Sequence, residues 1–552
     1  MLKRFQPILN CIKTFTVKIL AFILILVLFC SCANKQQGND GDIILPSENQ
    51  GQSQNEKTEI VQGGTMRVPM TLSPYSMHPL YLQEAQMRNI YSMIFEPLIK
   101  FNEAMEPTPC IAESWKYDQS KNIWTIQLRT NVHWHGDLGE LTGADAAYTI
   151  NAILSDPASI YYTDLSYYIQ SVEGYGNTLI IHPKLPSYAL IYALNIPVLP
   201  QNYYQGKDKL TKDMPLGSGC FKVDSLDFSN GTKMVLSANT KWWKKLPYLE
   251  KIEAIGYSNT ESILSAFKNG ELDCVPTNVK TTENYEILNN VNEKNYLSHN
   301  YVFMAFNLQR NYVNNGKFRK AIAYSINKTD IINNVYLKKA TGAEQPLFND
   351  TSLSSVGVTR YDYNIIQAKE LIKELGYKDS NGDGFMDTPS GPLTISIAVI
   401  NERANPIRLE AAEYIKKNLK AIGINVNILA QDLNTFKNSV KNHSYDMVLS
   451  GYYLTDTPNL NFIFKAGASG DLSGYASQNA HECLYNIDRA TNLADLKTQV
   501  INLQKTISNE LPQIGLFFEM NTLLYVDKLN TGAVLRETQV YTNVNEWHFV
   551  SK

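Results

Sequence analysis

The chain has 552 residues, of which 44% are hydrophobic and 19% charged, and its formal net charge is −3. This balance is typical of a globular protein with enough apolar mass for more than one core, and the length allows about three domains. No dense stripe of Lys or Arg is visible in the sequence, which argues against a nucleic-acid partner.

The first 32 residues have the layout of a signal peptide. A basic segment (residues 3–18) precedes an unbroken apolar run from Ile19 to Phe29, shorter than the about 20 residues that span a bilayer. Ser31 and Cys32 follow, and they resemble a bacterial lipobox, in which the cysteine after a small residue is lipidated. We therefore predict lipidation of Cys32; an ordinary signal peptide and an uncleaved anchor helix are the alternatives.

Residues 33–62 form a polar segment rich in Asn, Gln, Gly, Ser, Asp and Glu. Such a segment cannot bury enough apolar surface to fold, so we predict a flexible tether with a span of about 30 Å. Four later cysteines, Cys110, Cys220, Cys274 and Cys483, lack the spacing of a zinc site. Disulfides and unpaired buried thiols both remain open for them.

The elements that follow predict a mixed α/β protein. Strands are indicated at Thr65–Met70, at Ile123–Arg129, where apolar and polar residues alternate, and at Thr178–Pro183. In the C-terminal half, two helical patterns end at Gly376 and Gly423, and strands follow. Helix, short loop and strand in repetition predict a lobe with a partly parallel sheet.

Several blocks of sequence carry a family resemblance. They are Gly63–Val68, Ile90–Asn102, Pro107–His135, Pro215–Val223, Asn239–Ile252 and Ala266–Pro276. In this order they resemble extracellular solute-binding protein family 5, the receptors of oligopeptide, dipeptide and nickel importers. The resemblance runs from about Gly63 to Trp547.

The resemblance implies an α/β, two-lobed, periplasmic-binding-protein-like fold (type II, cluster C-like) with mixed sheets and an extra small domain in the N-terminal half. The implied organisation is a signal peptide (1–32), a tether (33–62), lobe I in three parts (63–100, 205–300 and 516–552), an extra domain (101–204) and lobe II (301–515). The chain should cross between the lobes near Asn300–Asn307 and Gln513–Met520, and the lobes should close on ligand.

Peptide receptors of this family bind the ligand amine with an Asp in a G-W-x-x-D segment. The matching stretch here begins at Gly451, has Tyr452 in place of Trp and holds Asp456, displaced by one or two residues. Asp456 is therefore either the amine-binding residue or a turn former before Pro458. The other ligand-binding candidates are Tyr452, Tyr453, Asn307 and Tyr75.

A metal candidate lies in the segment "DSNGDGFMD". Asp379, Asn381 and Asp383 take the first positions of a calcium loop, and Asp387 follows. The twelfth position lacks the usual Glu, and a metal-free acidic hairpin is the alternative. Calcium is the one cofactor considered. His133 and His135 could form a metal pair on one face of a strand; the resemblance instead implies that His135 packs structurally, and no cluster of Cys or carboxylates accompanies the pair.

The implied function is that of a substrate-binding lipoprotein of a bacterial ABC importer, a monomer on the outer side of the cytoplasmic membrane that delivers peptides to permease and ATPase subunits. No enzyme motif is present, so we predict that it is not an enzyme. Other cargo (a nickel chelate, an oligosaccharide or an opine), a surface peptide-sensing lipoprotein and a cell-surface hydrolase are the alternatives.

Replacing Cys32 with Ala should leave an unlipidated precursor, because this sulfur is the predicted site of acylation. The measurement is metabolic fatty-acid labelling of the wild type and of Cys32→Ala. Continued labelling of the variant would contradict the assignment.

Overall fold

The computed structural model describes residues 59–229, 231–278, 290–348, 351–354, 357–402, 406–532 and 534–551. The predicted signal peptide, Cys32 and most of the predicted tether lie outside these residues. No helix within the described ranges is long and apolar enough to cross a bilayer.

The strands are distributed over the whole described part of the chain. They are β1 (Glu59–Val61), β2 (Thr65–Thr71), β3 (Ile99–Phe101), β4 (Pro107–Pro109), β5 (Ala112–Asp118), β6 (Ile123–Leu128), β7 (Ile169–Tyr175), β8 (Thr178–Pro183), β9 (Phe221–Asp227), β10 (Lys233–Ala238), β11 (Lys251–Tyr257), β12 (Cys274–Thr277), β13 (Val291–Phe306), β14 (Ala340–Gly342), β15 (Asp387–Thr388), β16 (Gly391–Pro392), β17 (Thr394–Ile400), β18 (Asn425–Gln431), β19 (Met447–Tyr453), β20 (Gln513–Val526), β21 (Leu529–Asn530) and β22 (His548–Ser551).

The α-helices lie between these strands. They are α1 (Ala85–Ile94), α2 (Gly143–Ser155), α3 (Tyr162–Tyr168), α4 (Ala189–Tyr192), α5 (Gln201–Tyr204), α6 (Thr260–Lys268), α7 (Gly316–Ser325), α8 (Lys328–Asn334), α9 (Ile365–Glu374), α10 (Ile407–Lys420), α11 (Leu433–Lys441), α12 (Asn461–Phe464), α13 (Gln478–Ile487) and α14 (Leu493–Glu510). Short 3₁₀ turns occupy Pro79–Tyr81, Glu537–Gln539 and Val544–Glu546.

Two four-stranded sheets occupy the N-terminal half. One has the order β2-β11-β10-β9 and the other the order β5-β6-β8-β7. In β6, Trp124, Ile126 and Leu128 are buried while the intervening residues are partly exposed, which confirms the predicted alternation. The second sheet lies within the segment 101–204, for which a separate small domain was expected.

A seven-stranded mixed sheet contains β13 and β20, on which the two predicted crossings fall, and these two strands pair antiparallel with each other. β19 pairs with the other edge of β13, and β17 runs parallel to both β18 and β19. Helices α9 and α10 end before Gly376 and Gly423, whose φ angles are +86° and +79°. The predicted glycine-terminated helices and the partly parallel sheet are thus confirmed.

The end of the predicted tether is a strand. Glu59, Ile60 and Val61 pair antiparallel with Ser551, Val550 and Phe549 of β22. The prediction of an unstructured segment to residue 62 is wrong for these three residues. Their hydrogen bonds come from a strand almost five hundred residues away, which the local composition does not reveal.

His135 ties together two of the blocks that carry the family resemblance. Its Nε2 donates to Gly219 O (3.0 Å), and its Nδ1 accepts from Gly217 N (3.3 Å). A Cβ at Gly217 or Gly219 would lie 2.2 or 2.3 Å from a backbone oxygen of α1, so only glycine allows this approach. Burial lowers the pKa of His135 to about 4, so the ring is neutral at pH 7. The expected structural role of His135 agrees with these contacts.

His135→Ala should lower the free energy of unfolding by about 2–4 kcal/mol, because it opens a cavity and leaves the Gly217 N–H and Gly219 O without their partner. The control is His133→Ala, whose side chain is 45% exposed, and which should change stability by less than about 0.5 kcal/mol. Chemical denaturation measures both. Equal stability of the two variants would refute the structural role.

The pH dependence of unfolding provides a second measurement on the same variant. The folded-state pKa of His135, about 4, lies below its ordinary value of 6.5. The unfolded chain therefore binds the proton first, and the contribution of His135, complete above pH 6.5, is lost as the pH falls toward 4. His135→Ala should lose less stability than the wild type over this window.

Candidate functional site

A cavity of about 290 Å³ is formed by segments that are far apart in the sequence. Its walls include side chains from the N-terminal half, from β13 and the segment after β19, and from the C-terminal end. The lining residues fall within 79–100, 160–164, 192–197, 219–242, 299, 453–457 and 539–545.

The last residue of β19, Tyr453, and Asp456 in the segment after it face this cavity. β19 is held in register by β13, where Tyr453 pairs with Asn300. The Asp456 carboxylate is 17% exposed. The structure therefore brings two of the predicted ligand-binding residues to one wall.

His299 reaches the cavity because β13 has a bulge. Its register with β20 shifts between Leu297 and Tyr301, which places extra residues opposite β20. The ring contacts Leu454 O through Nδ1 (2.8 Å), and since a carbonyl only accepts, Nδ1 carries the proton. Nε2 then faces Asp456 Oδ1 at 3.6 Å, which is an ion pair when the ring is protonated.

Asn195 approaches the other carboxylate oxygen of Asp456, Oδ2. Gln539 Nε2 donates to Asn195 Oδ1 (2.9 Å), so the amide nitrogen of Asn195 is turned toward Asp456 Oδ2, 3.5 Å away. Both polar neighbours of Asp456 are thus at long distances. A carboxylate with such weak partners retains the capacity to accept hydrogen bonds from a ligand.

A second carboxylate, Asp164 of α3, lines the same cavity. Its Oδ1 accepts from Thr457 Oγ1 (3.1 Å) and from Thr455 Oγ1 (3.3 Å). Burial raises the pKa of Asp164 to about 6, and the negative charge of Asp456 adds to the rise, against the opposing effect of the two hydroxyls. Asp164 was not found from the sequence, since it belongs to no motif and precedes Asp456 by almost three hundred residues.

Two cations, Arg88 and Lys100, line the cavity as well. Arg88 Nη1 donates to the backbone oxygens of Leu82 (3.2 Å) and Gln83 (2.6 Å), which orients the guanidinium. Glu96 also lines the cavity; Trp243 Nε1 donates to its Oε2 (2.8 Å), and burial raises its pKa. Both signs of charge are therefore available to a ligand.

Three predicted ligand-binding residues lie elsewhere. The Tyr452 ring stacks on Phe303 with centroids 4.5 Å apart, and its hydroxyl donates to Gly470 O. Asn307 is 1% exposed and donates to His443 O (3.0 Å) and Tyr445 O (2.9 Å). Tyr75 is 49% exposed, and none of the three is among the described residues that line the cavity. The strand alternation turns Tyr452 away from the wall that Tyr453 forms.

The predicted calcium loop binds its own backbone. Asp379 accepts from the N–H groups of Gly382 (2.7 Å) and Gly384 (2.9 Å), and Asp387 accepts from Ser380 N (2.6 Å). Asn381 Nδ2 donates to Asp383 Oδ2 (3.1 Å). Among the described residues, no three His, Cys, Asp or Glu side chains are grouped as metal ligands. Calcium binding here stays a prediction.

The four cysteines within the described ranges are free thiols. Cys110, Cys220 and Cys274 are buried, and Cys483 is partly exposed. Of the two states left open by the sequence, the structure contains the unpaired one.

Comparison with known proteins places this architecture in a family. Residues 106–473 match the bacterial extracellular solute-binding proteins, family 5, and the chain belongs to this family. The predicted fold class is confirmed by the same comparison and by solved structures that share the fold. The chain therefore has a solute-binding role.

Relatives with different named cargo match over most of the chain. The oligopeptide-binding protein AppA of Bacillus subtilis (strain 168) is 22% identical over 96% of this chain and 97% of its own. The nickel-binding periplasmic protein of Escherichia coli (strain K12) is 23% identical over 66% of this chain and 70% of its own. The structure of MppA, a periplasmic murein tripeptide binding protein in an unliganded open form, is 18% identical with a TM-score of 0.76, over 90% of this chain and 99% of that one.

Proposed function

We propose that this chain binds short peptides, or similar small zwitterionic solutes, in the cavity at Asp456 and delivers them to the permease and ATPase of an ABC importer. It does so as a monomeric lipoprotein anchored outside the cytoplasmic membrane through Cys32, and it is not an enzyme. The observation that carries the proposal is the presence of both signs of charge on the walls of one cavity. Asp164 and Asp456 are the acidic residues, and Arg88 and Lys100 are the basic ones.

The charges match the ends of a peptide. Among the described residues, no carboxylate lies within ion-pair distance of Arg88, and Asp456 has only His299 at 3.6 Å. Lys100 already feels the charge of Glu96, which lines the same cavity. Partly buried charges without counterions are costly, and a ligand with an ammonium and a carboxylate lowers this cost at both. A neutral oligosaccharide would supply no ionic partner to Arg88 or to Asp456.

The volume of the cavity favours a short ligand. About 290 Å³ lies just below the ~300–1,000 Å³ that small-molecule sites occupy. The names of the relatives support peptides as cargo, since AppA is called oligopeptide-binding and MppA murein tripeptide binding. Because fold alone does not determine cargo, the proposal of a peptide ligand rests on the charged residues of the cavity.

Mass spectrometry of ligand released by denaturing the purified protein tests the proposal. We expect short, chemically unaltered peptides with a free amine and a free carboxylate. Recovery of a nickel chelate or an oligosaccharide would replace the proposed cargo. Conversion of an added peptide into fragments would indicate a hydrolase instead.

Asp456→Asn should weaken peptide binding by about 2–5 kcal/mol, the cost of removing one partner of a buried charge pair. The matched control is Asp432→Asn, because Asp432 is the N-cap of α11 and Asn caps a helix equally well. Isothermal titration with free and N-acetylated peptides measures the effect. Equal affinities of the wild type for both forms would remove Asp456 from the amine site.

A further inference from the structure

The two cavity carboxylates come from separate parts of the fold. Asp164 belongs to α3 in the N-terminal half, and Asp456 follows β19. They are close enough for the charge of Asp456 to raise the pKa of Asp164, in addition to the larger effect of burial. Two like charges on one partly buried wall repel each other unless a cation or a proton lies between them.

The protein supplies no full counterion to this pair. Among the described residues, Asp164 makes no ion pair with Lys or Arg, and its hydrogen bonds come from two neutral hydroxyls. Both hydroxyls bind Oδ1, and Oδ2 accepts no hydrogen bond within the described part of the chain. Asp456 has only the imidazole at 3.6 Å and the amide at 3.5 Å. Three carboxylate oxygens are therefore free or weakly engaged.

The hydroxyl contacts alone do not satisfy Asp164. Thr455 Oγ1 and Thr457 Oγ1 are also 2.8 Å from each other, so three contacts share two hydroxyl hydrogens. A cationic donor from a ligand would complete the hydrogen bonding and cancel the repulsion together. A primary ammonium carries three N–H donors on one positive centre, which suits two carboxylates and one further acceptor.

Resting on the proposed function, we propose that Asp164 is a second binding residue for the ligand's cationic group, and that the cavity selects solutes with a primary ammonium. The ammonium lies between Asp164 and Asp456 and joins the N-terminal half to the segment after β19. An N-methylated amine loses one donor and adds bulk between the carboxylates. An N-acetylated ligand loses the charge as well.

The test uses Asp164→Asn with three probes: tri-alanine, N-methyl-tri-alanine and N-acetyl-tri-alanine. Asn keeps one oxygen that accepts from both threonines, removes the negative charge and replaces the second carboxylate oxygen with an amide NH2 group. The wild type should bind tri-alanine most tightly, and Asp164→Asn should weaken tri-alanine binding by at least about tenfold. The preference for the primary over the N-methylated amine should shrink in the variant, as measured by calorimetric titration.

The raised pKa of Asp164 means that its negative charge opposes folding at pH 7, so Asp164→Asn should fold. Its melting temperature should equal or exceed that of the wild type. The control Asp432→Asn should bind all three probes as the wild type does. Thr457→Val removes a hydroxyl bound to Asp164 but keeps the carboxylate, so it should retain the discrimination among the probes.

The outcomes separate this inference from the proposed function. If Asp456→Asn loses tri-alanine binding while Asp164→Asn retains it, Asp164 has only a structural role and the inference is overturned. If Asp164→Asn and Thr457→Val weaken all three probes equally, the same conclusion follows. If the wild type binds the three probes equally while released peptides are recovered, selection for a primary ammonium is overturned and the proposed function stands. If the wild type binds none of the probes and no peptide is released on denaturation, the proposed function itself is contradicted.

Discussion

The antiparallel pairing of β13 with β20 is the constraint on which the rest of the structure depends. These two long strands lie next to each other over most of their length, and Tyr301, Phe303, Phe517 and Phe518 along them are fully buried. Each buried aromatic side chain contributes about 1.5–3 kcal/mol of hydrophobic stabilisation. β12 and β14 pair with the outer edge of β20, and β19 pairs with β13. The position of the cavity wall is thus set by a backbone ladder.

A departure from this ladder creates the site. The bulge between Leu297 and Tyr301 turns the His299 ring toward Asp456, and the His299 N–H donates to Glu537 Oε2 (2.6 Å). Glu537 also accepts from Asn521 of β20 (3.2 Å), so the bulge is tied to the C-terminal segment. The charged wall therefore stands on a strand pair that resists deformation, and its side chains are held before a ligand arrives. Such preorganisation reduces the entropy lost on binding.

The part of the cavity near Glu96 is stabilised by aromatic and cationic packing. Arg129 lies 4.6 Å from the centre of the Trp243 ring and Lys244 lies 4.4 Å from it, while the indole nitrogen donates to Glu96. These contacts stabilise the buried Glu96 beside the cavity and supply cation–π attraction. Gly217 and Gly219 pack closely against the backbone of α1, and Gly219 lines the cavity together with Cys220. In the proposed function, ligand selection depends on the few charges that reach the cavity, since a shared fold does not determine cargo.

The sequence by itself determined the periodic elements and the family, and it indicated two residues that line the cavity, Tyr453 and Asp456. Alternation in β6 and the glycine-terminated helices α9 and α10 follow from local geometry, so they were visible without a structure. Asp456 was found because it stands in a recognisable segment. Only the tertiary structure decided that Tyr453 faces the cavity and Tyr452 does not. It also decided that Glu59–Val61 pairs with β22. Finally, it placed Asp164, Asn195, Arg88 and His299 around the same cavity as Asp456. Side chains brought together from distant segments leave no local pattern, since their proximity arises from strand pairing and packing and not from spacing along the chain.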